Sequence, residues 1–166
     1  MTDEQLKQLS AINGQLLLQR QATVTTAESC TGGWIAKLFT DIAGSSAWFE
    51  RAFITYSNEA KQQMVGVSEE SLQQWGAVSE QVVKQMATGA LKAANADFAI
   101  AVSGIAGPDG GTAEKPVGTV WFGFATAAGD TLTKRYVFQG DREAVRRQTV
   151  AMALQVLHDD FLKNLT

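Results

Sequence analysis

Apolar positions in this chain change from helical to strand spacing and back several times. Leu6, Leu9, Ile12 and Leu16 recur at intervals of three and four behind a Thr2/Gln5 pair that reads as a capping box, predicting a helix to about residue 19. Residues 22–27 are rich in β-branched side chains and read as a strand. That strand runs into Glu28-Ser29-Cys30-Thr31-Gly32-Gly33, after which Trp34 and Leu38 form one row of a second helix and Ile35 and Phe39 another. Residues 51–56 predict the next strand, with Ser57 as the N-cap of a helix that Gly66 ends. A short helix over residues 68–75 stops at Gly76, and from Ser79 a longer one carries Val82, Met86, Ala90 and Ala94 as a single apolar stripe.

Residues 97–103 contain Phe-Ala-Ile-Ala-Val without alternation, which predicts a central strand buried on both faces. The most glycine-dense stretch, residues 104–111, follows it. Over residues 117–126, Val120, Phe122 and Phe124 alternate with Trp121, Gly123 and Ala125, and a turn at Gly129-Asp130 pairs this segment with residues 131–138 as a hairpin. Asp141 then caps a long helix with Val150, Leu154, Leu157 and Phe161 facing inward. Helical crossovers early and a hairpin late predict one α/β domain over residues 1–166. The expected architecture is a three-layer α/β/α sandwich with a mixed, mostly parallel sheet, its strand order open.

Composition narrows the function classes. With 166 residues, 45% of them apolar, the chain has material for one sizeable core. Charged residues are 19%, below the usual quarter, which leaves surface for an oligomer interface. A net charge of −3, a pI near 5.1 and no basic run argue against binding a nucleic-acid backbone. Cys30 is the single cysteine, so no internal disulfide forms and a reducing compartment is expected. Cys30 and His158 are the only thiol and imidazole, too few for a metal-ligand cluster, and no metal or cofactor is expected. The polar N-terminus lacks a signal-peptide pattern, and no apolar run approaches the roughly 18 residues that span a bilayer, so a cytoplasmic protein is expected.

Residues 44–61 hold the first candidate chemistry. Ser46 precedes a strand, and Lys61 follows in the first turn of the next helix, where burial and the electropositive helix end would both favour a neutral amine. A neutral lysine can deprotonate a serine for acyl transfer without a histidine. The competing reading is an exposed lysine paired with Glu59. Ser29 is a second candidate nucleophile, at a strand end before two glycines, where the N–H groups around Thr31, Gly32 and Gly33 could hold an anion; alternatively the segment is only a helix cap. The loop from Ser103 and Gly104 to Gly111 suits a phosphate by composition, although it is neither a P-loop nor a dinucleotide fingerprint. Arg142 could reach a phosphate or carboxylate, while Arg146 and Arg147 are expected on the solvent face of their helix. Cys30 reads as a small buried residue, and His158 as a helix-dipole partner.

Several segments together resemble one family: Thr26-Ala27-Glu28-Ser29-Cys30-Thr31-Gly32-Gly33, Gly44-Ser45-Ser46, Thr55-Tyr56-Ser57-Asn58-Glu59-Ala60-Lys61, Ser103-Gly104-Ile105-Ala106-Gly107-Pro108 and Lys115-Pro116-Val117-Gly118-Thr119-Val120. The family is the C-terminal domain of the competence/damage-inducible protein CinA, and the segments occur in its order over about residues 22–147. The resemblance implies an amidohydrolase converting nicotinamide mononucleotide to nicotinic acid mononucleotide and ammonia in pyridine-nucleotide recycling. It also implies an α/β/α fold, no metal and a homodimer. Carried over by motif, Ser46 is the nucleophile and Lys61 its base, with Ser29, Tyr56, Ser103, Gly104 and Arg142 as supporting residues. Family members often carry threonine where this chain has Ser103, and Asp109 interrupts a commonly all-glycine run. The rival expectation is a non-catalytic nucleotide-binding module linked to competence or damage responses.

Overall fold

The computed structural model describes residues 1–163. Its elements follow in the order α1 (Asp3–Gln19), β1 (Val24–Glu28), α2 (Trp34–Thr40), a 3-10 turn (Ser45–Ala47), β2 (Phe53–Ile54), α3 (Asn58–Val65), α4 (Glu69–Trp75) and α5 (Glu80–Ala94). Then come β3 (Phe98–Gly104), β4 (Thr119–Thr126), β5 (Thr131–Val137) and α6 (Arg142–Val156), which continues as a π-helical segment (Leu157–Leu162). Thr2 and Gln5 form both bonds of the capping box, at 2.9 and 3.2 Å. Ser57, Ser68, Ser79 and Asp141 each accept a backbone N–H three residues on, so α3 to α6 start where their short polar side chains satisfy an otherwise unpaired donor.

The five strands form one sheet in the order β2-β1-β3-β4-β5. β1 is parallel to both β2 and β3, whereas β3–β4 and β4–β5 are antiparallel. The sheet is therefore mixed as expected, but its parallel part is half of the pairings rather than most of them. β3 occupies the middle and is buried on both faces. At the edge, β2 is two residues long instead of the expected six, because only β1 offers it a ladder.

Residue size alternates across the sheet and sets the two layers. Ile100 and Val102 of β3 and Phe122 and Phe124 of β4 pack with Leu6, Leu17, Ile35, Phe39, Val150 and Leu154 from α1, α2 and α6. The opposite face presents Ala99, Ala101 and Ala125, against which Val82, Val83 and Met86 of α5 lie. Gly123 completes that small face: a Cβ there would collide with the Val83 carbonyl oxygen. Each fully buried phenylalanine contributes about 1.5–3 kcal/mol to the large-residue layer.

The inward face of α1 differs from the apolar spacing. Ser10, Asn13 and Gly14 are buried, while Ile12 is exposed and Leu16 half-buried. Trp48 packs directly on Gly14, a Cβ at which would meet its ring. The Ser10 hydroxyl donates to Leu38 O at 2.8 Å and the Asn13 amide to Leu154 O at 3.0 Å, so these polar groups bridge α1 to its neighbours instead of facing water.

The chain passes from β1 to β2 through α2 on one face and from β2 to β3 through α3 to α5 on the other. That change of side opens a crevice at the carboxyl ends of β1 and β3, where open α/β sheets hold ligands.

Candidate active site

β1 and β2 run in register with Glu28 opposite Ile54, so the residues just past each strand end lie side by side. Thr55 N–H donates to Glu28 O at 2.8 Å, and the Ser29 hydroxyl reaches Tyr56 O at 3.5 Å. Ser57 then caps α3, whose first turn carries Lys61 back over this junction. Lys61 is almost wholly buried, 1% exposed, and its Nζ lies 2.8 Å from Thr55 O, 3.3 Å from Tyr56 O and 3.0 Å from Ser29 Oγ.

This differs from the expected pairing. Lys61 meets Ser29, and Ser46 lies in the exposed 3-10 turn between α2 and β2, outside the lining of the cavity into which Ser29 and Lys61 face. Nor is Lys61 an exposed partner of Glu59. Burial lowers its ammonium from the ordinary lysine range to about 8. A Cys30 thiolate would oppose that drop, but burial pushes the Cys30 thiol up to about 12, so below that pH it carries no charge to do so.

The Lys61 contacts also fix its orientation. Both carbonyl oxygens can only accept, so they hold two N–H bonds of the amine. In the neutral form the remaining tetrahedral position, a lone pair, is directed at the Ser29 hydroxyl. Burial and aim therefore act together: one favours the neutral amine, the other points it at a proton to take.

The cavity has a volume of about 300 Å³. Ser29, Cys30 and Lys61 line it together with Ser103, Gly104 and Ala106 from the end of β3, Tyr56 and Asn58 from the β2–α3 junction, Ala77 and Val78 from the α4–α5 junction, and Arg142. The expected residues Ser29, Tyr56, Ser103, Gly104 and Arg142 thus surround Lys61. Asn58 and Ala106 lie within the quoted segments without having been singled out, whereas Ala77 and Val78 belong to no motif and are placed only by the fold. Among the described residues this lining holds no Asp or Glu, and its basic side chains are Lys61 and Arg142. The Arg142 guanidinium donates to Gly107 O at 2.7 Å and to the Tyr56 hydroxyl at 3.4 Å, which ties the glycine loop to the mouth.

The turn around Ser29 is not the free anion site that its glycines suggest. Gly32 N–H donates to Ser29 O at 3.1 Å. The amides of Gly33, Ile35 and Ala36 donate to the fully buried Glu28 carboxylate at 3.2, 3.0 and 2.9 Å. A resident side chain already occupies that position. Arg146, expected in solvent, is half-buried and donates to Cys30 O and Thr31 O at 3.0 and 3.2 Å, its guanidinium 5.6 Å from the centre of the Trp34 ring.

Comparison with known proteins agrees with this architecture. The chain is 70% identical over 164 residues to the nicotinamide-nucleotide amidohydrolase PncC of Escherichia coli K12, covering 99% of each chain. It is 54% identical over 144 residues to the Pseudomonas putida protein of the same name, 87% of this chain and 89% of that one. Among solved structures, the competence damage-inducible protein A of Klebsiella pneumoniae superimposes with a TM-score of 0.92 at 42% identity, covering 97% of this chain and 99% of that one. The competence/damage inducible protein CihA of Agrobacterium tumefaciens gives 0.90 at 46% identity over 92% and 93%. The model of the CinA C-terminal domain matches residues 6–161, and the chain belongs to that family.

Proposed function

We propose that this chain is a nicotinamide-nucleotide amidohydrolase that converts nicotinamide mononucleotide to nicotinic acid mononucleotide and ammonia, with Ser29 as nucleophile and Lys61 as its base. The substrate class comes from the names of its relatives. The observation that carries the mechanism is the 3.0 Å contact between a buried, readily neutralised lysine and a serine hydroxyl in the cavity.

Lys61 Nζ takes the Ser29 proton as Oγ bonds to the carboxamide carbon, whose electrophilicity the cationic pyridinium ring raises. The tetrahedral intermediate collapses as Lys61 returns that proton to the departing nitrogen. Ammonia leaves, and an ester on Ser29 remains. Water then attacks the ester, giving one proton to Lys61, which passes it to Ser29 Oγ as the acid departs. Protonated Lys61 would repel the pyridinium charge, so the neutral amine serves binding as well as chemistry. Arg142 retains donors beyond its bonds to Gly107 and Tyr56 and suits the substrate phosphate at the mouth, where its charge would offset one of the two on a dianion. The homodimer implied by the family resemblance and the cytoplasmic setting expected from the sequence belong to this proposal, and sedimentation of the purified protein tests the former.

The test is ammonia release from nicotinamide mononucleotide by the purified protein and two variants. Wild type and Ser46→Ala should both release ammonia, while Ser29→Ala should lose at least about 10³-fold in kcat. No ammonia from wild type would overturn the activity. An inactive Ser46→Ala beside an active Ser29→Ala would return the nucleophile to Ser46.

A further inference from the structure

The turn carrying Ser29 is held from two sides by groups that do not line the cavity. On the core side, Glu28 accepts from the hydroxyls of Thr26 and Thr31 at 3.0 and 2.6 Å, besides the amides of Gly33, Ile35 and Ala36 at the start of α2. On the outer side, Arg146 sends Nε to Cys30 O and Nη2 to Thr31 O. A planar guanidinium can address two successive carbonyls in this way, and its face rests on Trp34. Ser29 itself is pinned by N–H donation to Val102 O at 3.1 Å.

From this geometry we infer that Glu28 and Arg146 are positioning residues: they clamp the turn at residues 29–33 so that Ser29 Oγ stays within reach of Lys61. The inference rests on Ser29 being the nucleophile. Arg146 stands one helical turn beyond Arg142, so α6 sends one arginine into the cavity and the next onto the backbone that bears the serine. The two should divide the kinetics. Arg142 touches what binds, and Arg146 acts only through the turn.

Removing the Arg146 fork deprives Cys30 O of its partner and lets the turn relax. A displacement near 1 Å at a reacting atom costs on the order of 10²-fold in rate. The primary variant is Arg146→Met, which keeps an apolar stem on Trp34 and abolishes both bonds. Arg146→Lys restores the charge but only a single point of donation, and Glu28→Gln puts an NH₂ donor among the amides of α2. Each is compared with wild type by melting temperature, by kcat and KM for ammonia release, and by the rate at which a fluorophosphonate labels Ser29, read by intact mass.

For folded Arg146→Met, kcat should fall by about 10–100-fold with KM within about threefold, and the labelling rate should fall in parallel. Arg146→Lys should lie between Arg146→Met and wild type. Wild-type kcat and labelling in a folded Arg146→Met would overturn the clamp, as would a rise in KM with kcat unchanged, which would make Arg146 a substrate contact. Should Arg146→Met fail to fold, the same readings on Arg146→Lys decide. If wild type is labelled yet releases no ammonia, the proposed activity fails, and the labelling comparison still judges the clamp.

Discussion

Replacing Lys61 by methionine isolates what it costs to bury an amine in this cavity. The drop of its ammonium from 10.5 to about 8 corresponds to about 3 kcal/mol. Below pH 8 folded and unfolded chains both carry the proton, and the full cost is present. Between pH 8 and 10.5 the unfolded chain keeps a proton that the folded chain has released, so the wild type gains stability as pH rises. Above 10.5 nothing further is gained. A methionine side chain cannot titrate, so the unfolding free energy of wild type minus that of Lys61→Met should climb by about 3 kcal/mol across this window. The lost bonds to Thr55 O and Tyr56 O add an offset that does not change with pH and drops out of the comparison.

Urea unfolding of both proteins at pH 7, 8, 9 and 10, followed by tryptophan fluorescence with Trp48 in the core, measures this difference. A difference that stays flat would mean that Lys61 is an ordinary ammonium, and its role as base would fall with it. The same group should set the acid limb of kcat/KM near pH 8, with about a tenth of the enzyme active at pH 7. In the complex the pyridinium charge lowers Lys61 further, so the limb of kcat should lie at lower pH than that of kcat/KM.

Three other outcomes follow from named contacts. Arg142→Ala should raise KM for nicotinamide mononucleotide by about 10–100-fold with little change in kcat, measured by steady-state ammonia release. Gly123→Ala should destabilise the fold by about 1–3 kcal/mol in urea unfolding, because its Cβ meets the Val83 carbonyl while the cavity lies elsewhere. Iodoacetamide at pH 8 should leave Cys30 unmodified in the folded protein and alkylate it in urea, since burial holds the thiol protonated.

Element boundaries were legible wherever local chemistry sets them. The Thr2/Gln5 capping box and the caps Ser57 and Asp141 can be read because each bond spans three residues, and the helix starts expected at Ser68 and Ser79 prove to be caps of the same kind. The face of α1 was misleading for a reason of shape: Trp48 needs Gly14 beneath it, and Ser10 and Asn13 find carbonyls on α2 and α6. Inward polar residues look outward when only hydrophobicity is counted. Glu28 and Arg146 escaped for a similar reason, because each satisfies backbone groups that a sequence does not display.

The proposed nucleophile illustrates the deeper limit. Of the two candidate serines Ser46 is the nearer to Lys61 along the chain, and the family resemblance carries the role onto it. Proximity at a parallel sheet edge is set instead by register, which no single segment encodes. With Glu28 opposite Ile54, Ser29 must emerge beside Thr55 and Tyr56, and the helix that begins just beyond them folds Lys61 onto all three. The intervening residues 44–48 instead take a 3-10 turn that delivers Trp48 to the core and leaves Ser46 outside. Shifting that register by one residue would move Thr55 and Tyr56 away from Ser29 and separate the lysine from its hydroxyl. The Ser29–Lys61 contact is therefore a property of how β1 and β2 end together, and burial in the same crevice is what lowers the lysine's pKa, as the proposed role of base requires.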